Sequence, residues 1–180
     1  MISKRRLIVG AGALICVAGA RPAGAALPPI SQAQHEKFMR LAIEQAKRNP
    51  AIPSGSVIVK PDTGEVMARG VNNSAENPVM HGEMVCLLDY IRLNGNKGWG
   101  DKVIYTTGEP CSMCMSALVY ADIGGVVFGS SLGGIGDRGI DNIAISAKAV
   151  VDAAPFYKGL LLGGVLANET DALFQACKKN

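Results

Sequence analysis

Residues 80–115 read MHGEMVCLLDYIRLNGNKGWGDKVIYTTGEPCSMCM, and the placing of one histidine and two cysteines in this stretch decides the fold. His81-Gly82-Glu83 stands near its start and Pro110-Cys111-Ser112-Met113-Cys114 at its end. One imidazole and two thiolates that converge on a point supply three ligands for a zinc ion, and a tetrahedral ion with three protein ligands keeps its fourth position for water. Such a site is chemical rather than merely structural. Glu83 lies two residues from the histidine, near enough to exchange protons with that water without being a ligand.

The local sequence says how these residues meet. Pro110 suits the first turn of a helix, which puts Cys111 and Cys114 three apart on one face of that turn. Unpaired N–H groups and the dipole at a helix start favour thiolates over thiols. His81 follows Asn77-Pro78 and leads into Met84, Val85, Leu87, Leu88 and Ile91, apolar residues at helical spacing. Residues two apart point to opposite sides of a helix interior, so His81 and Glu83 share a site only at its open end. The stretch therefore predicts two helix N-termini facing one metal.

His-x-Glu followed by Pro-Cys-x-x-Cys is the signature of the zinc deaminases, and on these residues the chain resembles the cytidine-deaminase-like superfamily. Pro53-Ser54-Gly55-Ser56, Gly70-Val71-Asn72, Asn77-Pro78 and Glu109-Pro110-Cys111 are similar to segments of its guanine deaminase and tRNA adenosine deaminase branch. The resemblance covers about Ser31 to Ser130. Gly82 departs from the commoner alanine and is similar to what small cytosine deaminases carry. The resemblance implies one zinc ion held by His81, Cys111 and Cys114, with Glu83 as the catalytic proton carrier. It also implies that Asn72 and the Gly82 backbone N–H bind the substrate, and that the chain forms a homodimer. The activity implied is hydrolytic deamination of a small-molecule nucleobase or nucleoside, a guanine-type purine ahead of cytosine or adenine, with release of ammonia. Two other readings stand beside it: editing of adenosine in tRNA, which is the same chemistry on another partner, and a non-catalytic zinc-stabilised or toxin-like effector domain.

Met1 to Ala26 reads as a signal peptide. Lys4, Arg5 and Arg6 precede an apolar run from Leu7 to Ala20, and Ala23-Gly24-Ala25 offers a small-residue cleavage site. The run is too short to span a bilayer. Ser3-Lys4-Arg5-Arg6-Leu7-Ile8 resembles a twin-arginine export signal, with an ordinary secretory signal or an uncleaved anchor as the alternatives. The expected destination is the periplasm, with membrane contact confined to the signal segment. Ile15 is too bulky for Cys16 to be a lipoprotein site. Four of the 18 basic residues lie in this leader, which holds no acid, so residues 27–180 carry 14 basic against 15 acidic groups, net −1. This deaminase-like domain lacks the electrostatic footprint of a polynucleotide binder, and nucleic acid is not its expected partner.

Ser31 with Gln34 reads as a capping box opening a helix to about Asn49, which buries Phe38, Leu41, Ala42 and Gln45. His35, among Gln34, Glu36 and Lys37, reads as solvated. Ser56 to Val59 and Glu65 to Val71, joined by Pro61-Asp62-Thr63-Gly64, predict an antiparallel hairpin. There follow a helix from His81 to about Leu93, a strand over Val103 to Thr107, a cysteine-bearing helix to about Tyr120 and a strand over Val126 to Gly129. Glycine-rich Leu132 to Asp141, with Asp137 and Arg138, reads as a mobile loop or active-site rim. Leu160 to Leu166 offers a fifth strand, and Asn168 the cap of a last helix through Lys178. The alternation implies right-handed parallel crossovers and a three-layer α/β/α sandwich around a mixed sheet of about five strands, with the site at strand carboxyl ends.

Several residues have two readings. Asn72 is a substrate contact or a turn residue in Asn72-Asn73-Ser74. Phe156, Tyr157 and Phe174 close the pocket or pack the core, and Trp99 reads as packing. The Cys111/Cys114 pair has a disulfide as its alternative, against which stands His-x-Glu 28 residues upstream. Cys86 and Cys177 read as buried thiols.

Overall fold

Ser31 accepts from the Gln34 N–H while the Gln34 side chain accepts from the Ser31 N–H, so the capping box that opens α1 (Gln32–Ala46) is closed in both directions. The structure, a computed structural model, describes residues 27–137, 140 and 142–177. The leader over 1–26, Arg138, Asp141 and Lys178 lie outside them. α1 stops short of Asn49 because Pro50 disfavours the helical conformation in the residue before it. Its buried ladder is His35, Phe38, Met39, Ala42, Ile43 and Ala46. That row fits the 3.6-residue period better than the expected Leu41 and Gln45, which are only half-buried.

β1 (Gly55–Lys60) and β2 (Glu65–Val71) form the antiparallel hairpin, turned at Gly64 with φ +73°. α2 (Gly82–Asn94), β3 (Val103–Gly108), α3 (Ser112–Ala121) and β4 (Gly125–Ser130) follow. Then come α4 (Leu132–Gly136), α5 (Ala147–Asp152), β5 (Leu160–Leu162) and α6 (Ala167–Gln175). The sheet order is β2-β1-β3-β4-β5, with β1 antiparallel to both neighbours and β3, β4 and β5 parallel. The mixed five-stranded sheet is as expected. β2 and β3 run parallel without touching, since β1 lies between them and α2 makes the connection across it.

Strand alternation divides the core. Val57, Val59, Val103, Tyr105 and Val127 face α1, while Ile58, Ala68, Ile104 and Val126 face the side of α2, α3 and α5. His35 corrects the solvated reading: it is 6% exposed, and its Nδ1 lies 2.9 Å from the Tyr105 hydroxyl on β3. The helical ladder carries it over the sheet whatever the polarity of its sequence neighbours. Trp99 packs as expected, 4.2 Å from the Tyr90 ring, with its Nε1–H donating to Asn96.

Other differences lie beyond β4. The glycine-rich segment begins as a helix, α4, because the Ser131 hydroxyl accepts from the Gly134 N–H and Ile135 is buried. α5 was not anticipated; Ser146 caps it through the Ala149 N–H. β5 ends at Leu162 before Gly163-Gly164, and α6 is entered from Leu166 in the left-handed region rather than from Asn168. Leu166 packs into the α1-side core, which draws the helix start towards it. Tyr157 and Phe174 are buried, but Phe156 is 52% exposed, beside Tyr120 at 76%. Cys86 is buried and Cys177 half-buried, and both are free thiols.

Candidate active site

Because β2 and β3 run parallel, the helices that follow them both begin at one edge of the sheet. His81 is the N-cap of α2 (φ −65°, ψ 163°) and Cys111 the N-cap of α3 (φ −62°, ψ 167°). Neither side chain makes a capping hydrogen bond, so the imidazole and the sulfur are available to one another. Pro110 stands ahead of the helix rather than in its first turn, a correction that leaves the cysteine spacing intact. Cys111 at the N-cap and Cys114 at the third helical position are the pair of positions whose side chains meet in a capping box.

The ligand atoms of His81, Cys111 and Cys114 all lie within 4.8 Å of one another, and Cys111 Sγ is 3.5 Å from His81 Nδ1. A tetrahedral zinc ion with bonds of about 2.3 Å to sulfur and about 2.0 Å to nitrogen needs ligand edges of roughly 3.5–3.8 Å. The Cys111–His81 edge meets that requirement and no edge exceeds 4.8 Å, so the three atoms can close on one ion, and two sulfurs with an imidazole suit zinc. Both cysteines are free thiols, not a disulfide. Cys114 is buried while His81 and Cys111 are half-buried, so the cluster has a closed and an open side. A hydrogen bond from Cys114, reinforced by one from His81, brings the Cys111 thiol pKa down to about 4. Donating to Cys111 holds the Cys114 proton in place and pushes its pKa up, and the bond to Cys111 raises that of His81.

Glu83, the second residue of α2, is 4% exposed, and its Oε1 accepts from Thr106 Oγ1 at 3.1 Å. Burial raises its pKa above the ordinary carboxyl value. A carboxyl group shifted in that direction takes and returns a proton more evenly near neutral pH. Glu83 hydrogen-bonds Cys114 and lies within electrostatic reach of His81 and Cys111, beside the cluster and outside the group of three ligand residues.

The sequence pattern of the cytidine and deoxycytidylate deaminase zinc-binding region matches residues 32–130. The chain belongs to this family. It is 28% identical over 142 residues to a tRNA-specific adenosine deaminase of Rickettsia bellii, covering 76% of this chain and 94% of that one. To a cytosine deaminase of Candida albicans it is 31% identical over 128 residues, 65% of this chain and 84% of the relative. The X-ray structure of guanine deaminase from Bacillus subtilis superposes with a TM-score of 0.53 at 28% identity, covering 60% of this chain and 71% of that one. The protein is thus a hydrolytic deaminase of the zinc-dependent kind, for nucleobases or nucleosides.

The deaminase's remaining expected residues lie beside this cluster. A Cβ at Gly82 would stand 2.6 Å from the Ser54 carbonyl oxygen and 2.9 Å from its hydroxyl. The turn that carries Ser54 is held by Thr107, whose hydroxyl accepts from the Gly55 N–H and donates to the Pro53 carbonyl. Alanine has no room there, which accounts for the departure at this position. The Asn72 N–H donates to the same Ser54 carbonyl at 2.9 Å. Its Oδ1 accepts from the Ser74 N–H and hydroxyl at 3.0 and 2.8 Å, so the turn role is present. Its Nδ2 donates to none of the described residues.

The sequence assigns no individual role to Thr106 or Thr107, which it places in a strand, nor to Glu109, which it gives only as part of Glu109-Pro110-Cys111. The signal available was polarity inside an otherwise apolar strand, at Thr106-Thr107 of a fully buried β3. Glu109 accepts from the Leu132 N–H and the Ala147 N–H, each at 2.8 Å, and so joins the first residues of α4 and α5 to the turn that carries Cys111.

Proposed function

We propose that the protein deaminates a free guanine-type base through zinc held by His81, Cys111 and Cys114, with Glu83 as the proton carrier. The observation that carries this reading is the meeting of the three ligand atoms at two helix N-caps with a buried carboxyl group beside them. Zinc, when bound, supplies Lewis-acid activation of the attacking water. Glu83 takes a proton from that water and hands it to the ring nitrogen next to the amino-bearing carbon. Glu83 then takes the proton of the hydroxyl newly attached to that carbon and passes it to the departing amine as the C–N bond breaks, so base and water become the oxo base and ammonia. Thr106 occupies Oε1, which leaves Oε2 to carry the proton. The Gly82 N–H and the undonated Nδ2 of Asn72 are the groups suited to orient the ring.

The choice of a free base is supported by the net charge of −1 over 27–180 and by the likeness to a guanine deaminase. Likeness to a tRNA-specific enzyme favours a second reading, adenosine in tRNA. Incubating zinc-loaded protein with a panel of bases, nucleosides and tRNA, and scoring ammonia, separates the two. Guanine is expected to turn over fastest. Turnover of tRNA alone, with binding that weakens steeply in salt, would transfer the assignment. Stoichiometric zinc with no ammonia from any substrate would leave a non-catalytic zinc domain. Glu83→Gln should keep its zinc and lose at least about 100-fold in kcat; near-normal turnover in a clean preparation would remove Glu83 from the mechanism.

A further inference from the structure

Three strands each present one residue to the first turn of α2. Gly70 of β2, Ser56 of β1 and Thr106 of β3 are cross-strand partners in a single row. They lie on the sheet face that is otherwise built from Ile58, Ala68, Ile104 and Val126. A Cβ at Gly70 would clash with the Gly82 carbonyl and stand 2.5 Å from the Cys86 N, so the helix start rests on the backbone of β2. At the other end of the row Thr106 Oγ1 donates to Glu83 Oε1. Between them Ser56 is fully buried, and its hydroxyl has no partner among the described residues.

The two ends of this row do different things. Contact at Gly70 sets how deeply the helix sits, but it leaves the Glu83 side chain free to turn about its terminal torsion, which is broad. Thr106 restricts that freedom from the sheet side, adding a partner at Oε1 to the hydrogen bonds that the carboxyl group makes with its own backbone N–H and with Cys114. It is β-branched, so its own rotamer is restricted, and it stands in the middle of a buried strand flanked by β1 and β4. We propose that Thr106 is a positioning residue for Glu83: holding Oε1 fixes the plane of the carboxyl group and presents Oε2 to the reacting centre. This rests on the reading of Glu83 as the proton carrier. A valine at 106 fills the same space and offers no hydrogen bond, whereas a serine keeps the donor.

Kinetics with the favoured base on zinc-loaded variants test the assignment. Thr106→Val should lower kcat by about 10- to 100-fold, the range found when a group supporting a metal site is removed, with KM and zinc content unchanged. Thr106→Ser should recover most of the loss. Ser56→Ala removes a hydroxyl from the same row that bonds to nothing described, and should leave kcat as it is. If the valine variant does not fold, Thr106→Ala carries the same expectation. Undiminished kcat in the valine or alanine variant, equal losses in valine and serine, or loss of zinc in either would overturn the proposal. Full activity of Glu83→Gln would instead remove the reading on which it stands, so the two failures are told apart.

Discussion

A single buried imidazole ties the acid stability of this protein to α1. Burial lowers the pKa of His35 below the ordinary 6.5, and its Nδ1 is engaged with the Tyr105 hydroxyl. The unfolded chain therefore binds a proton near pH 6.5 that the native protein accepts only at lower pH. Below 6.5 the unfolded state holds more protons, so this group's contribution to stability falls as pH drops from 6.5 towards the lowered value. Urea unfolding should show a falling midpoint over that window. His35→Asn keeps a polar atom near the Nδ1 position and has nothing to titrate, so it should flatten the slope; an unchanged slope would assign acid sensitivity to another group. At Glu83 the same physical cause, burial, acts in the opposite direction, because there the charged form is the anion.

Among the elements, α4 and α5 are too short to persist without help from the rest of the fold. Each has a serine cap, and each gives its first N–H to Glu109. One carboxylate thus anchors both ends of the segment from 132 to 147 beside the turn that carries Cys111. Hydrogen bonds to a charged group are worth about 1.5–3 kcal/mol each. Glu109→Gln keeps the shape but removes the charge and turns one acceptor into a donor. It should quicken hydrogen exchange at the Leu132 and Ala147 amides while zinc binding persists. Protection that stays unchanged would deny Glu109 this role. Capping was readable for α1, where Ser31 and Gln34 are three apart and a long apolar ladder follows. For α4 and α5 the signal was too small, since five or six residues carry little periodicity and the decisive acceptor comes from a distant position.

For the whole molecule, a zinc ion would join the starts of α2 and α3, two helices that reach the site from different crossovers. Metal that binds only the folded arrangement adds its binding free energy to stability. Removing it with a chelator should lower the melting temperature, and added zinc should restore it; Cys114→Ser should melt low with or without zinc. A chelator without effect on melting would mean that the folded state does not depend on the ion.

Local chemistry was written along the chain in a readable form: a histidine and two cysteines at helix openings, a capped amphipathic first helix, a hairpin closed by glycine. Each depends on residues a few positions apart, and short-range sterics and hydrogen bonding act within that distance. The insertion of β1 between β2 and β3, the descent of His35 onto Tyr105, the grip of Thr106 on Glu83 and the reach of Glu109 to two helices belong to the folded state alone. They join groups far apart in the chain, and such contacts form only when burial of the two apolar faces of the sheet brings those groups together.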